Sequence, residues 1–185
     1  MTATSTPATT NPVRPGRNVW RVVLMIVVLG FAAFWTWALF FASKDAVNKF
    51  ADRAWAERAQ AICENADERR EALADYREVD EDDPAMVAER GDVVDRATDV
   101  VEEMLDEVMA VLPADAKGAD LVPQWAADYR THIEDRRRFA DVLRTGDNVP
   151  FTETAVDGIP LSDKLEVFAG DNEMPACAPP HDLSF

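Results

Sequence analysis

Two cysteines, Cys63 and Cys177, and two histidines, His132 and His181, are the whole stock of soft metal ligands in a chain of 185 residues. A Cys2His2 zinc site would need all four, and their spacing fits no such motif. A redox-active thiol wants a second cysteine close by or a basic, exposed setting. Cys63 is instead followed by Glu64, Asp67 and Glu68, which raise a thiol pKa. The expected role of the pair is a disulfide that ties the C-terminal segment to the first helix of the domain. Closing a loop of more than 100 residues contributes ~4–5 kcal/mol in the chain-entropy model.

His132 has Asp128 four residues before it, on the same helical face. A di-metal bundle would need paired Glu-x-x-His motifs, and these are absent. The expectation is therefore a helix-surface histidine beside an acid, with His181 a tail residue of no chemical role. Five acids in six residues, Glu78 to Asp83, invite a calcium loop. An EF-hand places ligands at alternate positions around a central glycine. Here the acids are contiguous and Pro84 follows at once, as in a solvated turn. G-x-S-x-G, Ser-x-x-Lys and phosphate-loop motifs are missing too. No catalytic residue, metal or cofactor is expected.

One basic cluster remains: Arg136, Arg137 and Arg138, with Arg130 and Arg144 nearby. Two roles suit it. It is either a docking patch (Arg130, Arg136, Arg137, Arg138) for an anionic partner or lipid headgroups, or it pairs internally with Glu102, Glu103, Asp106 and Glu107. Internal pairing is the preferred expectation. With 19 basic against 35 acidic side chains and a net charge of −16, a broad nucleic-acid surface is excluded.

The elements that must carry these residues begin with an apolar run. Val22 to Ser43 holds 22 residues without one ionisable side chain. As a helix it reaches ~33 Å, enough for a ~30 Å hydrocarbon core. Trp20, Trp35 and Trp37 suit the two headgroup belts. The run is too long for a signal h-region, and Phe40 sits where cleavage after Ala42 would want a small residue, so an uncleaved transmembrane helix over residues 20–43 is expected. Residues 1–19, rich in Thr, Ser, Pro and Ala, read as a disordered cytoplasmic tail. Lys and Arg on the two flanks nearly balance. The length of the C-terminal part and its two cysteines decide for an extracytoplasmic domain at the cell membrane.

All 35 acids and all but three of the bases (Arg14, Arg17, Arg21) lie beyond residue 43, leaving that part a net −19. Lys44 to about Val79 has helical periodicity and no Gly or Pro, as if continuing the membrane helix or joined to it by a slight break. Asp83 and Pro84 suit the N-cap and first position of a second helix. There Val87, Val94, Val101 and Val108 recur every seven residues, which implies a near-parallel packing partner. Pro113 ends it. A third helix from Pro123 carries Trp125, Tyr129, Ile133, Phe139 and Leu143 and stops at Gly146. The expected fold is all-α: a transmembrane helix, an antiparallel three-helix bundle over 44–146, and an irregular strap over 147–185 with one short helix. Ser162 is expected to cap that helix, with Phe168 facing inward.

The segments Trp125-Ala-Ala-Asp-Tyr129, Phe139-Ala-Asp-Val-Leu-Arg144, Phe168-Ala-Gly-Asp-Asn172 and Cys177-Ala-Pro-Pro180 resemble those of uncharacterised single-pass, helix-rich membrane proteins of high-GC Gram-positive bacteria. The resemblance implies a membrane location and no particular chemistry. Two functions fit these expectations. One is an anchored interaction or scaffold module without catalysis, partnered by the bilayer and by a membrane or envelope protein or a second copy. The other is a ligand-sensing ectodomain that signals through a separate membrane partner.

Overall fold

The computed structural model describes residues 16–41, 46–74, 80 and 82–183. It is mostly helical and divides into two units, Met1–Asp45 and Ala46–Phe185.

The first unit consists of α1, Gly16–Phe40. Its Val19–Phe40 stretch has a mean hydropathy of 2.4, and none of it is covered by protein. Such a helix is long and apolar enough to cross a membrane. Its one hydroxyl, Thr36, donates to the Ala32 carbonyl at 2.8 Å, as helix-interior threonines do. The helix starts at Gly16, inside the stretch read as tail; the disorder expected of residues 1–15 lies outside the described residues.

The second unit places α2 at Arg53–Glu71, α3 at Pro84–Met109, α4 at Ala116–Arg144 and α5 at Leu161–Asp171. β1 (Ala155–Val156) and β2 (Ile159–Pro160) form a two-residue antiparallel hairpin before α5, so the domain is not strictly all-α. A 3-10 turn at Pro175–Cys177 closes the sequence of elements.

Three starts and stops differ from expectation. The first is α2, expected from Lys44 onward, which begins at Arg53. Residues 46–52 are non-helical, and Asp52 caps the helix by accepting from the Trp55 amide at 3.0 Å. Tyr76, expected on this helix, lies outside the described residues. At the second site α4 begins seven residues ahead of Pro123. Asp115 is its N-cap, accepting from Gly118 N at 3.0 Å. Proline at an interior position loses one backbone bond, and a side chain bonds the backbone just beside it, Gln124 Nε2 donating to the Asp120 carbonyl at 2.9 Å. The two caps are joined, since the Asp52 amide donates to Asp115 Oδ2 at 3.2 Å. The third difference is Ser162, which lies inside α5 rather than capping it. Asp83 and Pro84 do start α3, and Gly146, at φ 87°, follows the end of α4.

Along α3, Val87, Val94, Val101 and Val108 are all buried. Contacts between α3 and α4 are antiparallel: Asp92 meets Arg144, Asp99 meets Arg137 and Asp106 meets Arg130. Gly91 makes the approach close, because a Cβ there would fall 2.8 Å from the Ala140 carbonyl oxygen. α2 lies along α3, with Arg69 paired to Glu103 at 2.9 Å. The larger core cluster joins Phe50, Trp55, Met104, Trp125, Tyr129 and Phe168; a smaller one near the α4 C-terminus joins Val87, Val94, Phe139, Leu143 and Leu183.

Candidate functional site

α4 presents its most unusual side chains at His132, Asp135 and Arg136, all buried. They lie where the chain after α4 folds back across that helix, so residues from both segments meet.

Arg136 is fully buried and forms a two-pronged pair with Asp182, Nη1 to Oδ1 at 2.7 Å and Nη2 to Oδ2 at 3.0 Å. Its Nε donates to Thr98 Oγ1 on α3 at 3.1 Å. Arg70 of α2 reaches the same carboxylate at 3.4 Å. The Arg136 guanidinium thus links α3, α4 and the C-terminal segment, and the shared Asp182 carboxylate adds α2. Burial pushes the Asp182 pKa upward, but the Arg136 hydrogen bond and charge outweigh it and hold the carboxyl below its ordinary range.

Asp135 binds the returning chain directly. Thr154 donates to it through its amide at 2.6 Å and its hydroxyl at 3.1 Å, and Arg138 pairs with it from the outer side. One turn earlier, His132 stands edge-on to Tyr129 and Phe151. Its Nδ1 is 3.4 Å from Glu153 Oε2, yet neither ring nitrogen makes a hydrogen bond. Burial, then the Arg136 charge, lower its pKa, with Glu153 opposing, so the ring is neutral at pH 7. Histidine on the helix surface was therefore a misreading, and so was its acid. Asp128 pairs with Lys164 at 2.9 Å instead.

Glu153 also takes over the role expected of Ser162. It accepts from the Ser162 amide at 2.9 Å and from the Ser162 hydroxyl at 2.6 Å. The order is Ser–Glu–His, with the carboxylate in the middle. Activating a serine requires the imidazole between hydroxyl and carboxylate, so this arrangement fastens the hairpin and does not prepare a nucleophile.

The remaining arginines meet acids along α3. Arg137 contacts Asp95, Asp99 and Glu102 within 2.7 Å. Partial burial disfavours its charge, but the hydrogen bonds it donates to the three carboxylates raise its pKa overall. Arg144 joins Asp92, Asp95 and Asp141. Arg130 is 3.8 Å from Asp106, whereas Glu103 turns to α2. Of the four residues considered as a docking patch, Arg136 is in the interior and unavailable to a partner; Arg130, Arg137 and Arg138 each face an acid.

Cys63 and Cys177 are buried with their sulfurs at the disulfide distance of 2.04 Å, joining α2 to the 3-10 turn across 114 residues. Among the described residues no group of three or more His, Cys, Asp or Glu side chains could hold a metal ion. In the acidic run, Asp80 accepts from the Asp82 amide at 3.1 Å and Asp83 caps α3; residues 78, 79 and 81 lie outside the described residues. No family model, curated protein or solved structure matches the chain.

Sequence reasoning missed Glu153, Thr154, Asn172 and Asp182. Asn172 is buried at the end of α5, accepting from Phe50 N at 3.0 Å and donating to the Phe168 carbonyl at 2.9 Å. These residues sit in irregular chain, where no period marks an inward side chain. The burial of Arg136 did have a signal, for it lies seven residues after Tyr129 on the apolar stripe of α4.

Proposed function

We propose that the protein is a single-pass membrane-anchored interaction or scaffold module: α1 crosses the cell membrane, the N-terminus is cytoplasmic, and a three-helix bundle of α2–α4, braced by the C-terminal segment, stands outside without catalytic activity. The observation that carries this reading is the uncovered apolar face of α1, together with a second unit in which Asp135, Arg136 and Asn172 are bonded within the chain. The cysteine pair supports an oxidising compartment for the domain. A sensing ectodomain would want an open, polar or aromatic-lined cavity between α2 and α4. Large rings fill that region instead, with Trp125 stacked on Phe168 at 5.6 Å and Phe50 edge-on to Trp55 at 5.5 Å. A filled core favours docking through the surface over ligand capture in the interior.

The test is proteolysis of intact, wall-stripped cells, followed by cross-linking and purification from native membranes. External protease is expected to digest residues 43–185 and leave a small membrane-embedded fragment, and a discrete membrane or envelope protein, or a second copy, is expected to copurify. Protection of the domain until the membrane is breached refutes the orientation.

A further inference from the structure

One end of the second unit is formed by the starts of α2 and α4 and the ends of α3 and α5. It exposes three aliphatic side chains: Val47 at 87%, Val111 at 57% and Leu112 at 46%. Their backbone is pinned. The Val111 carbonyl accepts from Trp55 Nε1 at 2.5 Å and from Arg58 Nη2 at 2.8 Å. The turn carrying Val47 is held through the Lys49 carbonyl, which accepts from Lys117 Nζ at 2.6 Å. The exposure therefore belongs to a fixed surface rather than to a fraying end.

The acids at this end are engaged within the domain. Asp52 and Asp115 are engaged by backbone amides: Asp52 accepts from Trp55 and Ala114, Asp115 from Gly118 and Asp52. Glu173 is paired with Lys49 and Arg53. The α3 acids that dominate the net charge lie along that helix, on residues such as Asp92, Asp95 and Asp99. This is also the end at which the chain of the second unit begins, at Ala46. Only residues 42–45 separate Phe41 from Ala46, a stretch that spans at most about 18 Å when fully extended.

Resting on the transmembrane reading of α1, we infer that this end sits on the bilayer that α1 crosses, with Val47, Val111 and Leu112 at the boundary between headgroups and acyl chains. Apolar side chains on a tethered surface partition into that boundary. Anionic headgroups repel the acidic sides of the domain and so favour end-on seating.

The experiment uses the full chain, one copy per nanodisc of mixed zwitterionic and anionic phospholipid, with a nitroxide on Leu112→Cys, on Asn148→Cys beyond the C-terminal end of α4, or on Val28→Cys in α1. Collision with oxygen and with a water-soluble nickel chelate reports depth. The expected result is a strong preference for oxygen at position 28, a weaker preference at 112, and a reversal in favour of nickel at 148. Position 112 as nickel-accessible as 148, with 28 still deep, overturns the seating and leaves the span intact. A nickel-accessible position 28 refutes the span and the seating together. Shielding of 112 that appears only in crowded vesicles and disappears in single-copy discs assigns the surface to a second copy and overturns the inference.

Discussion

Asp182→Asn removes one charge from a pair whose other member has no access to water. The Arg136 side chain is fully buried, while Asp182 keeps 24% of its own exposed. Breaking a buried ion pair by deleting one partner costs about 3–5 kcal/mol, because the remaining charge is desolvated without compensation. The partial exposure of Asp182 places this case near the lower end, at about 3 kcal/mol. For a domain of this size that is a fall in Tm of about 10 °C. Arg136→Met removes the buried charge itself and leaves Asp182 with Arg70 and some water, so it should cost less, about 1–2 kcal/mol. The double variant should be little worse than Arg136→Met alone, which gives a coupling of about 3 kcal/mol between the two sites. The assay is thermal and urea unfolding of the full chain in detergent, followed by near-ultraviolet circular dichroism of the aromatic cluster. Asp182→Asn melting within about 2 °C of the parent, or strict additivity in the double variant, refutes the view that this pair fastens the C-terminal segment.

His132 should make the domain acid-sensitive. Its folded pKa is lowered by burial, so the unfolded chain binds the extra proton first, and stability falls as pH drops below about 6.5 towards the folded value. His132→Phe is expected to flatten urea stability across that window, whereas an unchanged slope refutes the assignment. Asp182 contributes at a lower pH: its depressed pKa gives stability that is complete above about pH 4 and lost as pH falls through the folded value, a loss that Asp182→Asn should remove. Replacing both Cys63 and Cys177 by alanine should cost several kcal/mol, up to about 4–5 in the chain-entropy model, with far-ultraviolet helicity retained and amide exchange accelerated from residue 172 onward. Mass spectrometry finding two free thiols in the native protein refutes the bond. Arg137→Ala should cost about 1 kcal/mol, since partly exposed pairs contribute little, and partner recovery should survive. Recovery lost with the melting temperature unchanged would place the functional surface on α4.

Periodicity and composition sufficed for whatever depends on a continuous stretch of chain. The charge-free run identified α1 because a membrane-length helix needs nothing but its own side chains. The heptad valines of α3 placed their buried face because helical geometry alone brings residues seven apart into line. Asp83–Pro84 and Gly146 marked ends through local backbone chemistry. Local rules erred where a distant group supplied the missing partner. Pro123 looked like a helix start, yet Asp115 caps eight residues earlier and is itself bound to the Asp52 amide. Ser162 looked like a cap until Glu153 folded onto it. Asp128 was the obvious partner for His132 by spacing, but Lys164 of α5 takes it and the imidazole turns inward to aromatic rings. Arg136 belonged to a run of three arginines that read as one surface patch. A helix advances about 100° per residue, so three neighbours cannot share a face: Arg136 falls on the buried stripe, Arg137 faces α3 and Arg138 the solvent. Its charge is tolerated inside only because Asp182, 46 residues away in sequence, is carried back by chain with no repeat to reveal its course. Long-range pairing of that kind has no signature in one sequence, and only the folded structure decided it.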